Sequence, residues 1–174
     1  MELFPKRASG SYVALLIIVS VTVVIVSALY FAGKTNPQPP LSTAPTDGCP
    51  AEQELVIGDR HFHVMLAQTF TEQEQGLSGK AALREDEGML FLFDDTKVKK
   101  FWMKDMLFPI DIIWISPDWT INWWADNAMP ESYPKIFASP EDQKTQYVLE
   151  LPSGTAMRQH FTQGEHVAFT PCTK

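Results

Sequence analysis

Apolar positions along the chain fall into two unlike patterns. Residues 12–32 read YVALLIIVSVTVVIVSALYFA without a single charge, about 21 positions or 31 Å of helix, enough to cross the hydrocarbon core of a bilayer. The β-branched residues in this run would disfavour a helix in water. In lipid, the lack of outside partners for backbone N–H and C=O groups makes a helix the favoured form. Downstream the apolar residues come instead in short blocks, at 54–57, 61–68, 89–93, 99–103, 110–115, 120–124, 146–151 and 166–170. Clusters of Gly, Pro, Asp and Ser separate them, which is the signature of strands.

The breaks between blocks are specific. Gly58-Asp59 supplies a tight turn between the first two strands, and Ser116-Pro117-Asp118-Trp119 places proline at the second position of another. Two stretches read as helical. Residues 71–80 start with Thr71 as N-cap and Glu74 three positions on, a capping-box spacing, and residues 153–161 run from a Pro-Ser start to a Gln163-Gly164 stop. The expected architecture is mainly β (α+β): a compact barrel or sandwich of about eight strands with two short helices, preceded by one transmembrane helix.

Four segments follow from this pattern: a cytoplasmic tail (1–11), the membrane helix (12–32), a linker (33–48) and a folded domain (49–174). Lys6 and Arg7 precede the helix and Lys34 follows it. This excess favours an inside N-terminus, and so a single-pass protein of the plasma (inner) membrane whose C-terminal domain is periplasmic or extracellular. A cleaved signal peptide is the competing reading. Leu29, Tyr30 and Phe31 stand where signal peptidase needs small residues, and the apolar run is too long. The linker, GKTNPQPPLSTAPTDG, carries four prolines and no apolar period, so it cannot offset the entropy of ordering. Cys49 and Cys172 bracket the domain. In an oxidising compartment a bridge between them would close a loop of roughly 120 residues, worth about 4–5 kcal/mol in the chain-entropy model.

Composition narrows the partners. The 174 residues carry a net charge of −7, and from Cys49 onward 19 acids face 11 bases. No electrostatic footprint for nucleic acid is present, so the expected partners are the membrane and an unknown small molecule or envelope component. Gly-rich phosphate loops and nucleophile elbows are absent from the sequence.

Several blocks carry a resemblance: TFTEQEQGL (69–77), GMLFLF (88–93), FWMKDMLFPIDIIWI (101–115) and YVLELPSG (147–154). In this order and spacing they resemble the domain of unknown function 192 family, also known as uncharacterised protein family 0127, over nearly all of residues 55–169. The resemblance implies a small, mostly β fold, often behind a signal or anchor segment, with no established activity. The chain departs from the family pattern at Ser78-Gly79-Lys80, where the family has Met followed shortly by Arg, and at Asp105, where Asn is usual. Any ligand contact made by that arginine or asparagine is lost here or has passed to Lys80 and Asp105.

Candidate chemistry concentrates in two places. Strand alternation from Phe101 would put Phe101, Met103 and Asp105 on one face and Trp102 with Lys104 on the other. That second face could be a platform on which Trp102 stacks while Lys104 pairs with an anion; otherwise Trp102 caps the barrel and Lys104 pairs with Asp111 or Glu150. Asp111 and Glu150 each stand within an apolar strand, where a carboxyl must be paired, bound to a metal or raised in pKa. The leading expectation is a non-catalytic ligand-binding or envelope-associated module using Trp102, Lys104, Asp111 and Glu150 around one concave face, with Glu74 a further candidate. The alternative is a hydrolase or transferase acting on an envelope polymer through Asp111 and Glu150.

No cofactor or metal is expected. His61 and His63 project from one strand face, a spacing that could hold a transition metal given a third ligand, but surface histidines on a hairpin explain it more simply. Asp94-Asp95 and Glu85-Asp86-Glu87 lack the alternating ligands of a calcium loop. Of the five tryptophans, Trp114 is expected in the core, and adjacent Trp123 and Trp124 on opposite faces of a strand, one of them exposed.

Overall fold

The computed structural model describes residues 50–172. The predicted membrane helix, the linker and Cys49 lie outside the described residues, and among the described residues no helix is long and apolar enough to cross a membrane.

Among the described residues nine strands form, at β1 (Glu52–Ile57), β2 (Arg60–Ala67), β3 (Glu87–Leu92), β4 (Lys100–Phe101), β5 (Ile110–Ile115), β6 (Ile121–Ala128), β7 (Phe137–Ala138), β8 (Tyr147–Pro152) and β9 (Val167–Phe169). Two short helices, α1 (Phe70–Gln75) and α2 (Thr155–Arg158), join them. Seven strands make one sheet in the order β6-β5-β8-β3-β2-β1-β9, and β4 pairs with β7 in a separate ribbon. Every neighbouring pair in the large sheet is antiparallel except β2–β3. A parallel pair needs a crossover, and α1 with the loop after it provides one.

The expected mainly β fold with two short helices is present, but the sheet is a curled half-barrel rather than a closed barrel or a sandwich. Its two ends meet at one corner only. There the Val167 N–H donates to the Trp119 carbonyl at 2.7 Å, the Ile121 N–H to the Glu165 carbonyl at 2.9 Å and the Gly164 N–H to the Ile121 carbonyl at 2.8 Å. Elsewhere β6 and β9 are the two unpaired edges of the sheet.

Each face of the sheet buries its own core. On one side Leu55, Val64, Leu90, Ile113, Leu149 and Leu151 pack with Ala156 of α2. On the other, Phe91, Ile112, Trp114 and Val148 pack with Leu77, just beyond α1, and with Met103 and Met106. Strand β5 is buried along its entire length because it contributes to both. Trp114 is fully buried, as expected, with Nε1 donating to the Lys99 carbonyl at 3.0 Å. Trp123 is exposed while Trp124 packs against the first core.

Both hairpin turns form where the sequence places them. Ile57 faces Arg60 across Gly58-Asp59, with Gly58 at φ +60°. In the second, Trp119 holds a φ of +60°, unfavourable for a bulky side chain, and its ring stacks on Tyr147 at 3.9 Å.

Three local readings are corrected. The first helix starts earlier and is shorter than 71–80: the sequence TFTEQE offers two overlapping capping boxes, and the chain uses Thr69 with Glu72 rather than Thr71 with Glu74. Gly76, at φ +49°, ends it. The second helix is one turn, Thr155–Arg158, inside the expected 153–161. The strand expected at 99–103 is only Lys100–Phe101, because the chain turns at Met103–Met106 with Asp105 at φ +57°. Alternation therefore stops at Phe101. Met103 is buried, but Asp105 is exposed alongside Trp102 and Lys104.

Candidate functional site: an aromatic pocket floored by Glu150

The site is assembled from the crossover α1, the start of its following loop, β3, β4 and β8. Helix α1 is fixed by its cap: Thr69 Oγ1 accepts from the Glu72 N–H at 3.3 Å, while Glu72 Oε2 accepts from Thr69 N–H at 2.8 Å and Gln68 N–H at 2.9 Å. Those backbone donors hold the Glu72 carboxyl below its usual pKa. The Gln73 side-chain amide then donates to the Leu92 carbonyl at 2.8 Å, pinning the helix to β3. Gly76 is needed at the helix end, since a Cβ there would come within 3.3 Å of the Phe91 ring.

Beneath this helix lies a cavity of about 260 Å³. Its walls are Phe91, Phe93, Phe101, Trp102, Leu77 and Met106. Phe91 meets Phe101 edge to face at 5.0 Å, and Trp102, 52% exposed at the mouth, leans edge-on against Tyr133 at 6.2 Å. Glu150 forms the floor. The residue is only 5% exposed, and its Oε2 has no hydrogen-bond partner among the described residues. Burial pushes its carboxyl up to about 8, so the acid is neutral at pH 7. The position follows from register: Glu150 stands between Met89 of β3 and Ile112 of β5, facing the second core.

A second hollow of about 380 Å³ adjoins the first and is polar, lined by Thr71, Lys104, Asp105 and Gly79. Glu74, Gln75, Ser78 and Trp102 line both. Two bonds tie the loops that frame it: Ser78 Oγ donates to the Lys104 carbonyl and the Gly79 N–H to the Asp105 carbonyl, each at 2.9 Å. Trp102, Lys104, Glu74 and Glu150 are thus brought to one composite site.

Asp111 is not part of it. Its Oδ1 accepts from the N–H groups of Asn127 at 2.9 Å and Gly154 at 3.0 Å, and its Oδ2 from Ala156 N–H at 2.9 Å. The residue is fully buried and holds the start of α2. Asp111 faces Leu151 and the first core, whereas Glu150 faces Ile112 and the second, so the sheet separates the two carboxyls. The expected convergence of Lys104, Asp111 and Glu150 on one face is corrected accordingly. Lys80, a position suggested by the family pattern, points its Nζ to Met65 Sδ at 3.6 Å and does not line either hollow; Asp105 lines the second.

His61 Nδ1 pairs with Glu54 Oε1 at 2.7 Å and His63 Nε2 approaches Asp86 at 3.9 Å. Among the described residues no group of three His, Cys, Asp or Glu side chains is placed to hold a metal. Sequence reasoning missed the phenylalanine walls, whose convergence depends on the parallel β2–β3 pairing and on the bend after Phe101. The one local signal was Gly76 directly after a capped helix.

A curled half-barrel with an acid-floored aromatic pocket under its crossover helix defines a class of small β domain. The chain belongs to the DUF192 family (uncharacterized ACR), whose pattern matches residues 53–169. Among solved structures it is similar to a protein described as a "putative transcription regulator" from Sinorhizobium meliloti 1021, at 31% identity and a TM-score of 0.64, covering 68% of this chain and 94% of that one. It is similar also to a protein of unknown function from Novosphingobium aromaticivorans DSM 12444, at 30% identity and a TM-score of 0.62, covering 72% and 89%. No curated protein matches the chain.

Proposed function

We propose that the protein is a membrane-anchored, non-catalytic binding module that captures a small amphipathic molecule in the pocket over Glu150. One observation carries this reading: a buried carboxyl oxygen without a partner at the foot of an aromatic cavity. Leaving such a group unsatisfied costs about 1–3 kcal/mol, a cost that a bound polar group would remove. Apolar walls with one polar group at the base and an aromatic ring at the mouth are the usual make-up of a small-ligand site. The two-carboxylate hydrolase or transferase reading loses its geometry, because Asp111 and Glu150 stand on opposite faces of the sheet.

The anchor rests on the uncharged run 12–32 and the bases before it. The Cys49–Cys172 bridge is supported by the hydrogen bond from Cys172 N–H to Gln53 Oε1 at 2.9 Å, which brings the C-terminal segment beside the residues that follow Cys49. Nucleic-acid binding is disfavoured, since from Cys49 onward 19 acids outnumber 11 bases. Saturation-transfer NMR of the full-length protein with a library of small amphipathic molecules tests the binding role. Binders that are weakened at least fivefold by Trp102→Ala are expected; a library without binders, or binders indifferent to Trp102, would refute it.

A further inference from the structure

We infer that the group seated against Glu150 is an organic cation, an ammonium or guanidinium on a short apolar stem; the inference rests on the binding role proposed above and specifies its ligand class. Glu150 has no counter-cation paired to it: Lys100 lines the same cavity but is exposed, and Glu150 Oε2 has no hydrogen-bond partner among the described residues. Lys99 Nζ is taken by Asp95 and by the face of Phe93 at 4.2 Å, and Lys80 by Met65. The charged groups that share the cavity wall with Glu150 are Glu74 from α1 and Lys100 from β4. The flanking strand neighbours, Met89 and Ile112, carry no charge.

What surrounds the acid suits a cation. Four aromatic rings, Phe91, Phe93, Phe101 and Trp102, line the path to it. Their faces attract ammonium and guanidinium groups, and more strongly where water is excluded. Lys99 already occupies such a place over Phe93, which leaves Phe91, Phe101 and Trp102 for a ligand. At the outer hollow Glu74 and Asp105 stand with Lys104, and Lys100 lines the inner cavity, so the entrance is close to neutral and, among the described residues, Glu150 is the one buried charge-bearing group on the wall. A neutral acceptor would need only a donor, which glutamine or threonine supplies without titrating; a full negative charge on demand requires the carboxyl.

Size sets the stem. A cavity of about 260 Å³ suits a small molecule with a short stem. In protonic terms, entry of a cation ionises the neutral Glu150, and one proton leaves to solvent. Amine affinity should therefore climb with pH until Glu150 is ionised without a ligand, then level.

The test is calorimetric titration of the full-length protein in non-ionic detergent with 2-phenylethylamine, with its neutral isostere 2-phenylethanol, and with a short peptide bearing one lysine. The amine should bind about tenfold more tightly at pH 7 than at pH 6 and level above pH 8. There it should bind at least tenfold more tightly than the alcohol, and Glu150→Gln, with its fold checked by near-ultraviolet circular dichroism, should lose this preference. Binding of the peptide in preference to the amine would place the cation on a protein partner; the reverse would point to a free amine. Equal affinity for amine and alcohol, a pH-independent amine or an amine preference that survives Glu150→Gln would overturn the inference while leaving a binding pocket in place. Failure of all three probes, together with an empty library screen, would overturn both.

Discussion

Asp111 and Glu150 stand on adjacent antiparallel strands, with Asp111 opposite Leu151 and Ile112 opposite Glu150, so that neighbouring register positions send two acids through opposite faces of one sheet. Their environments are as different as their directions. Asp111 is surrounded by three backbone donors, whereas Glu150 Oε2 has none. The first acid is structural and the second is available.

Replacement of Asp111 should therefore be costly to folding. Asp111→Asn places an amide NH₂ where Ala156 N–H now donates, and Asp111→Ala leaves three backbone N–H groups unsatisfied. Losses of about 2 kcal/mol for Asn and 3–5 kcal/mol for Ala are expected in urea unfolding. A loss below about 1 kcal/mol for Ala would show that α2 does not depend on this carboxylate.

Glu150 makes the opposite prediction. Its folded carboxyl sits at about 8 against an ordinary value of 4.5, so between these values the folded protein holds a proton that the unfolded chain has released. Stability is then fully present below pH 4.5, falls as pH rises toward 8 and is flat beyond. At about 1.4 kcal/mol per pH unit, the loss is roughly 3 kcal/mol by pH 7. Glu150→Gln should abolish this slope, so that its melting temperature gains on the parent protein progressively from pH 5 to pH 8. Parallel curves for the two proteins would contradict a buried, unpaired acid.

Gly88 tests the packing next to that acid. A Cβ at this position would lie 2.7 Å from the Glu150 carbonyl and 2.8 Å from Leu151 Cδ2. The first contact is backbone in the middle of a sheet and cannot move aside cheaply. Gly88→Ala should destabilise by about 1–3 kcal/mol in chemical unfolding, whereas Gly79→Ala, with nothing near its Cβ but a φ of +76°, reports only the backbone preference, about 1 kcal/mol.

The cap of α1 links folding to the site. Removal of the Thr69 hydroxyl by Thr69→Ala should cost about 1 kcal/mol. Because α1 carries Glu74 and Gln75 into both hollows, the same substitution should weaken any pocket ligand. Unchanged affinity would mean that the helix is not part of the binding wall.

Most strand positions and both hairpin turns were legible in the sequence because each rests on local signals, period-two blocks, Gly58-Asp59 and Ser116-Pro117; the two-residue β7 carries no such block. Trp114 and the two solitary acids were legible too, since a charge inside an apolar strand is conspicuous. Assignment of their roles was not, because face depends on register against a partner strand distant in sequence. Phe101–Asp105 shows the same limit from the other side. Alternation was the right expectation for a strand, but Asp105 adopts a left-handed conformation and the chain turns to bury Met103 and Met106. The helix start was ambiguous for a narrower reason: Thr69 and Thr71 both precede a glutamate by three, and α1's connection to β3 through Gln73 accompanies the earlier frame.

Carbon-13 NMR of the Glu150 side-chain carboxyl, in the full-length protein with labelled glutamate and assigned by Glu150→Gln, reads the pocket directly. At pH 7 the signal should lie at the protonated position and move to the ionised position when 2-phenylethylamine is added, with no such movement for 2-phenylethanol. A carboxyl already ionised at pH 7, or one that ignores both compounds, would contradict a pocket built around a neutral acid awaiting its cation.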